Sequence, residues 1–302
     1  MAEDDSPPTP NASVDKRQKS SRSETATTSR KSWLERAFRK QVGDTACGLA
    51  SLAVVVDALH LKLHEADEPL EQPRGRTQED EVLAWQRTPE HGAKDAVSMT
   101  NVKARGMTLA QLSQLSWNAG ILHVCCYADR FKDADEFRDT LQAALGGPCM
   151  VIMNYNMTIA GQTPFKGHFS PLDCYNADND TFRILDVWKL TPTDDYWAET
   201  TKLWEAAADQ DSDAKRCRGF LVIAPSAPQF LALSSEHRPV AIERSQNEDI
   251  GVLVRLPGDR IVTKKHIQDW QISGVSDLNE QILALLKAGI SQLEPFMAFG
   301  EP

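Results

Sequence analysis

The stretch ACGLASLAVVVDALHLKL, residues 46–63, decides how the chain is read. It is apolar along most of its length and contains no proline, which predicts a buried helix beginning close to Cys47. Downstream, Thr108 can cap a helix whose Leu109, Leu112 and Leu115 fall at helical spacing, and Gly120 suits its stop. ILHVCCY (121–127) reads as a strand, ADEFRDTLQAALGG (134–147) as an amphipathic helix and CMVIMNYN (149–156) as a buried strand. HFSPLDCYNA (168–177) and TFRILDVW (181–188) are two strands joined by an Asn/Asp-rich turn at 176–180. TKLWEAAA (201–208) is helical, and GFLVIA (219–224) closes the pattern as a strand. Helices come first and a hairpin-rich antiparallel sheet second, so the fold class is α+β.

With 302 residues the chain has room for one domain plus extensions, or for two small domains. Charged residues make up 25% and apolar residues 41%, the balance of an ordinary globular chain. A net charge of -10 argues against nucleic acid or an anionic membrane as partner. No apolar run approaches a membrane span, and MAEDDSPPTP at the start has no secretory apolar region, so a cytoplasmic location is expected. The six cysteines contain no C-x-x-C pair and read as free thiols in a reducing compartment.

Residues 1–31 are rich in Ser, Thr, Pro and charge without apolar periodicity, and are expected to be disordered. Their basic, Ser/Thr-rich part resembles a transit peptide, but Glu3, Asp4 and Asp5 speak against that. Residues 32–225 form the expected catalytic domain, with loops and short helices over 64–98. Residues 226–302 form an extension of unknown role, with a strand pair around VLVRLPGDRIV (252–262) and a helix at 277–290.

A thiolate is the natural nucleophile for cutting an amide at neutral pH through an acyl intermediate. It needs an imidazole and a helix N-terminus to ionise it, an acceptor to set the imidazole tautomer, and a donor for the oxyanion. Cys47 begins the buried helix, with Gln41 just upstream. His168 begins one strand of the hairpin and Asp186 ends the other, so the turn can bring the two together. Taken singly, each residue has a plain structural reading: a small buried thiol, a core imidazole, a turn carboxylate. The combination suits a helix whose nucleophile faces a sheet.

At these residues the chain resembles a known family. Gln41-x5-Cys47-Gly-Leu-Ala-Ser, GHFSPLDCYN (167–176) and ILDVWKLTP (184–192) are similar to the nucleophile, histidine and aspartate motifs of phytochelatin synthases. VKARGMTLAQL (102–112), KLWEAA (202–207) and RGFLVI (218–223) add to the likeness, which runs from about Trp33 to Ala224. The resemblance implies a papain-like fold in which Cys47 is the nucleophile, His168 the acid/base, Asp186 its orienting carboxylate and Gln41 the oxyanion donor. It also implies that Asn154 and Gly167 line the acyl site and that Arg218 pairs with the γ-glutamyl α-carboxylate of glutathione.

The implied reaction transfers γ-glutamylcysteine from glutathione, with release of glycine, and builds phytochelatins for heavy-metal detoxification. No tightly bound cofactor or protein-held metal is expected; cadmium or zinc would arrive as glutathione thiolate complexes. A homodimer is one assembly open to such a chain. Departures from the family pattern bear on the acceptor site. Lys189, followed by Leu-Thr-Pro, stands where the family usually has Arg followed by Tyr-Pro-Pro, and Lys cannot make a bidentate contact. Residues 226–302 and the segment LSQLSWNAG (112–120) lack the cysteines of plant members. Two rivals share the motifs: an enzyme that mainly hydrolyses glutathione or its S-conjugates, and an inactive thiol-binding or interaction protein.

Overall fold

The computed structural model describes residues 32–64, 77–86, 97–163, 166–228, 241–244, 252–256 and 260–263. The N-terminal 1–31 segment and the helix expected at 277–290 lie outside the described residues.

Helix α1 (Trp33–Ala37) opens with a capping box, in which Ser32 accepts from the Glu35 N–H and Glu35 accepts from the Ser32 N–H. Helix α2 (Cys47–His64) is the apolar stretch that opens the sequence reading. Leu49, Leu52, Val54, Val55 and Ala58 lie on several sides of it and are all fully buried. That is why the helix shows no polar face up to Val56, since a segment surrounded by protein is apolar all round, whereas Asp57, His60 and Lys62 further on are only half-buried. Helices α3 (Glu79–Ala84) and α4 (Met99–Arg105) are short. Helix α5 (Leu109–Asn118) has the expected cap at Thr108, reinforced by Gln111, and Gly120 beyond it takes a positive φ of 74°.

Strand β1 (His123–Tyr127) leads to helix α6 (Ala134–Gly146), then to β2 (Met150–Tyr155), β3 (His168–Asn176) and β4 (Thr181–Leu185). β5 (Asp195–Glu199) runs directly into helix α7 (Thr200–Ala208). A two-residue ladder follows, β6 (Gln210–Asp211) with β7 (Arg216–Cys217), and then β8 (Gly219–Ile223). The expected pair near residue 257 is present as β10 (Val252–Leu256) and β11 (Arg260–Thr263), joined by β9 (Ala241–Arg244) in a separate three-stranded sheet.

The main sheet has the order β1-β8-β2-β3-β4-β5, with every neighbour antiparallel. Both faces are covered. Met150 and Ile152 of β2 join a core with α2 and α5, while Val151, Met153 and Tyr155 join one with α6 and α7. A strand buried on two sides reads as a continuous apolar run, as MVIMNY and GFLVI do. The architecture is α+β as expected, with α6 and α7 as an additional layer behind the sheet.

Two features hold the sheet in place around the site. Arg183 of β4 forms ion pairs with Glu35 of α1 at 2.8 Å, Asp173 of β3 at 3.1 Å and Asp195 of β5 at 2.9 Å. Gly219 of β8 is packed so closely on β1 that a Cβ there would lie 2.0 Å from the Cys126 carbonyl oxygen. Gly219→Ala is therefore expected to force the two strands apart and cost about 3 kcal/mol or more. A denaturant titration checks this, and an unchanged midpoint would contradict the packing.

Candidate active site

The antiparallel pairing of β3 and β4 sets His168, the first residue of β3, beside Asp186, one position past β4. His168 Nε2 and Asp186 Oδ1 are 2.9 Å apart, and both side chains are buried. Cys47 also lies close enough to the imidazole to help raise the His168 pKa. Since Nε2 is taken by Asp186, Nδ1 is the ring nitrogen left for the thiol. Cys47 is the first residue of α2, and this helix end is seated on β3: a Cβ on Gly48 would touch the Phe169 ring at 3.4 Å. The thiol therefore sits at the positive end of the helix dipole.

Burial lowers the pKa of His168, but hydrogen bonds to Asp186 and Cys47 and the charges of both push it up to about 9. The imidazole is thus cationic at neutral pH. Burial alone would raise the Asp186 pKa, yet the hydrogen bond and charge of His168, the Trp188 N–H and the Thr191 hydroxyl hold it below the usual carboxylate range. The Cys47 sulfur, an imidazolium and a carboxylate thus stand close together.

Gln41 is buried in the turn ahead of α2, where its N–H donates to the Val187 carbonyl at 2.7 Å and its Nε2 to the Gly43 carbonyl at 2.6 Å. Glu79 of α3 fixes that turn by accepting from the N–H groups of Val42 at 2.6 Å and Gly43 at 3.0 Å. Lys189, expected near the acceptor, reaches the same turn. It pairs with Asp44 and donates to the Val42 carbonyl at 3.3 Å.

Of the three expected acyl-site residues, Gly167 and Arg218 lie against each other, and Asn154 is on the neighbouring strand. Asn154 of β2 lies opposite Gly219 on one side and Phe169 on the other, so it neighbours both Arg218 and His168 along the ladder. Arg218 is buried rather than a surface charge, and its Nη1 donates to Asp209 Oδ2 at 2.6 Å. Gly167 faces the remaining edge of the guanidinium: a Cβ there would lie 3.6 Å from Nη2 and 3.8 Å from Nε. Gln41 Oε1, Asn154 Oδ1 and Arg218 Nε are all buried without a hydrogen-bond partner among the described residues. Other buried side-chain atoms share that state, so the informative one is Arg218 Nε, a charged donor left open beside Gly167.

Four residues that hydrogen-bond to these groups escape the sequence reading: Gln162 and Thr191 on Asp186, Glu79 on the Gln41 turn, and Asp209 on Arg218. None belongs to a periodic pattern. Only Thr191 lies within a motif segment, where a hydroxyl five residues after the carboxylate is an available clue. No disulfide joins any of the six cysteines. Among the described residues no helix is long and apolar enough to cross a membrane.

An antiparallel sheet carrying a histidine–carboxylate pair is met by a helix with a cysteine at its start, the side-chain types that cysteine-dependent acyl chemistry uses. A family model described as phytochelatin synthase matches residues 12–220, and the chain belongs to that family. It is 30% identical over 202 residues to glutathione gamma-glutamylcysteinyltransferase 1 of Triticum aestivum, covering 64% of this chain and 36% of the wheat protein. It is 30% identical over 190 residues to glutathione gamma-glutamylcysteinyltransferase 1 of Lotus japonicus, covering 62% of this chain and 34% of that protein. It is 28% identical over 238 residues to glutathione gamma-glutamylcysteinyltransferase 2 of Arabidopsis thaliana, covering 76% and 46% of the two chains. The matched stretch thus spans less than half the length of these relatives.

Proposed function

We propose that the protein transfers γ-glutamylcysteine from glutathione through a thioester on Cys47, within a papain-like fold. The observation that carries this reading is the buried His168–Asp186 pair, 2.9 Å apart, with Cys47 at the start of α2 close beside the imidazole. The Cys47 thiolate attacks the carbonyl carbon of the cysteinyl–glycine bond. The oxyanion that forms is met by the Gln41 side-chain amide. As the C–N bond breaks, the His168 imidazolium gives its proton to the departing glycine amine. A second glutathione then attacks the thioester through its α-amine and loses a proton to His168. The product is longer by one γ-glutamylcysteine unit, and Cys47 is regenerated. Cadmium or zinc enters as part of the acceptor, bound by glutathione thiolates.

In this reading the α-carboxylate of the γ-glutamyl group rests on the Nε and Nη2 edge of Arg218, beside Gly167 and Asn154. Arg218→Lys keeps the charge but not the fork. The variant is expected to raise KM for glutathione about 10–100-fold, the loss of one charged hydrogen bond or a little more, with a smaller fall in kcat. Steady-state kinetics check this, and an unchanged KM would remove Arg218 from the substrate site.

A second reading, hydrolysis of the thioester by water, is favoured by one observation. The Lys189 ammonium is engaged by Asp44 and the Val42 carbonyl, so it is less available to an acceptor's carboxylate. Incubation with glutathione, with and without cadmium, separates the two. Chains of two or more γ-glutamylcysteine units mean transfer, whereas glycine with γ-glutamylcysteine alone means hydrolysis. No glycine under either condition would leave a thiol-binding protein.

A further inference from the structure

Asp186 is held by more than the histidine it orients. Its Oδ1 accepts from His168 Nε2 and from the Trp188 N–H, each at 2.9 Å. Its Oδ2 accepts from Gln162 Nε2 at 3.0 Å and from the Thr191 hydroxyl at 2.8 Å. One oxygen thus serves the imidazole while the other is tied down behind it. The Gln162 amide is itself fixed, because its Oε1 accepts from the Tyr155 hydroxyl at 2.9 Å. A flipped amide would set its oxygen against the carboxylate. The Gln162 backbone is anchored too, with its N–H donating to the Met157 carbonyl at 2.8 Å.

Tyr155 closes the circuit. It lies directly opposite His168 in the β2–β3 ladder, and its ring meets the imidazole edge-on with centroids 5.9 Å apart. One side chain therefore touches the histidine with its ring and, through Gln162, the aspartate with its hydroxyl. Every member of this ring of four is buried.

We infer that Gln162, locked by Tyr155 and assisted by Thr191, is the positioning residue that holds the Asp186 carboxylate in line with His168. The inference rests on the proposed role of Asp186 in orienting His168, and it adds residues that neither the motifs nor the family name assign. The groups facing Asp186 are His168 with Cys47 beyond it, Thr191, Gln162 with Tyr155 behind it, and Lys40. The Lys40 ammonium donates to the Asp186 main-chain oxygen at 2.8 Å and lies 3.5 Å from Asp194.

The direction of the pH effect follows. A buried carboxylate that loses donors takes up its proton at higher pH, so the acid limb of activity moves up. A carboxylate that drifts from the imidazole supports the imidazolium less, so the alkaline limb moves down. The active window narrows from both sides.

The test uses the full chain with Gln162→Leu, Gln162→Glu and Thr191→Val. Rates of glycine release and of Cys47 alkylation by iodoacetamide are followed against pH, the latter by peptide mass spectrometry. Gln162→Leu is expected to lower kcat about 10²-fold, the scale of an ångström of misplacement, with KM within about twofold. Thr191→Val shifts the same limbs less. Gln162→Glu moves the acid limb furthest, because two carboxylates in contact share one proton. A Gln162→Leu enzyme with the wild-type kcat and pH profile overturns the inference. So does a loss of activity that follows a fall in melting temperature while the limbs stay in place.

Should Gln162→Leu fail to fold, Thr191→Val, at the more exposed end of the network, carries the same criteria. If the wild type releases no glycine, the proposed function fails and the alkylation profiles decide the inference alone. At pH about 6 the alkylation rate of Cys47 should then fall roughly tenfold in Gln162→Leu, and an equal rate overturns it.

Discussion

Cys47→Ser is expected to abolish glycine release from glutathione, lowering kcat by about 10⁴-fold or more, the scale seen when an acyl-forming nucleophile is removed. The two side chains are nearly the same size, so the hydroxyl fits the start of α2 and the helix remains seated on β3. What changes is ionisation. A helix N-terminus and a neighbouring imidazolium stabilise a thiolate, but they cannot ionise a hydroxyl at neutral pH. His168, cationic because its pKa is pushed up to about 9, would also have to lose its proton before it could act as a base toward serine. The check is a glycine assay together with mass spectrometry of the enzyme after exposure to glutathione. A retained rate, or a glutathione-derived adduct still forming at position 47 of the serine enzyme at the same speed, would sink the thioester route.

Asp186→Asn is the second large effect, a loss on the order of 10³–10⁴-fold in kcat, as when a carboxylate that sets a histidine tautomer becomes an amide. The surroundings explain why an amide fares badly here. Four donors converge on the carboxylate: His168 Nε2, the Trp188 N–H, Gln162 Nε2 and the Thr191 hydroxyl. An Asn oxygen can satisfy one pair, but its NH2 must then face the other. If the NH2 faces His168, it meets the Trp188 N–H donor-to-donor, and the ring must present an unprotonated Nε2, which puts its proton on the other nitrogen. If it faces Gln162, two donors collide in a buried site at a cost of about 1–3 kcal/mol.

The pH dependence has a definite sign. Asp186 is a principal reason the His168 pKa is raised, so removing its charge lowers that pKa and moves the alkaline limb from about 9 toward neutrality. A pH–rate profile of the residual activity checks this. An unshifted limb would mean that the carboxylate does not sustain the imidazolium.

Much of the frame was legible in the sequence because it depends on local patterns. The apolar run from Ala46, the Thr108 cap, the hairpin turn at 176–180 and the two unbroken apolar strands each announce themselves within a dozen residues. Strand β5 did not, since only Ala198 of its five residues is buried and Trp197 lies exposed. The alternation that marks a half-buried strand is therefore missing. The association of Cys47, His168 and Asp186 was readable as a spacing around a helix start and a hairpin, and more firmly as a family likeness.

The second layer of the site was not legible, for a physical reason. Gln162 sits in the polar stretch between β2 and β3, and Glu79 opens a two-turn helix far along the chain from Gln41. Their importance arises only when folding brings a carboxylate or a turn against them. The burial of Arg218 could not be read from its own surroundings either, since a lone arginine before a strand is ordinarily a surface charge. Only the family likeness drew attention to it.

The placement of β8 has a consequence for how the molecule is made. This strand is the last of the main sheet in sequence, yet it lies in the interior, between β1 and β2. During synthesis the thiol, the imidazole and the carboxylate all leave the ribosome before the strand that joins β1 to the rest of the sheet. Until residue 223 is available, β1 and β2 each present an open hydrogen-bonding edge, and Asn154 lacks the neighbour that brings Arg218 to it. Assembly is thus governed by a late, long-range insertion, which makes it slow and cooperative. A nascent chain halted before that point would carry the thiol, the imidazole and the carboxylate and still lack the strand that joins β1 to β2.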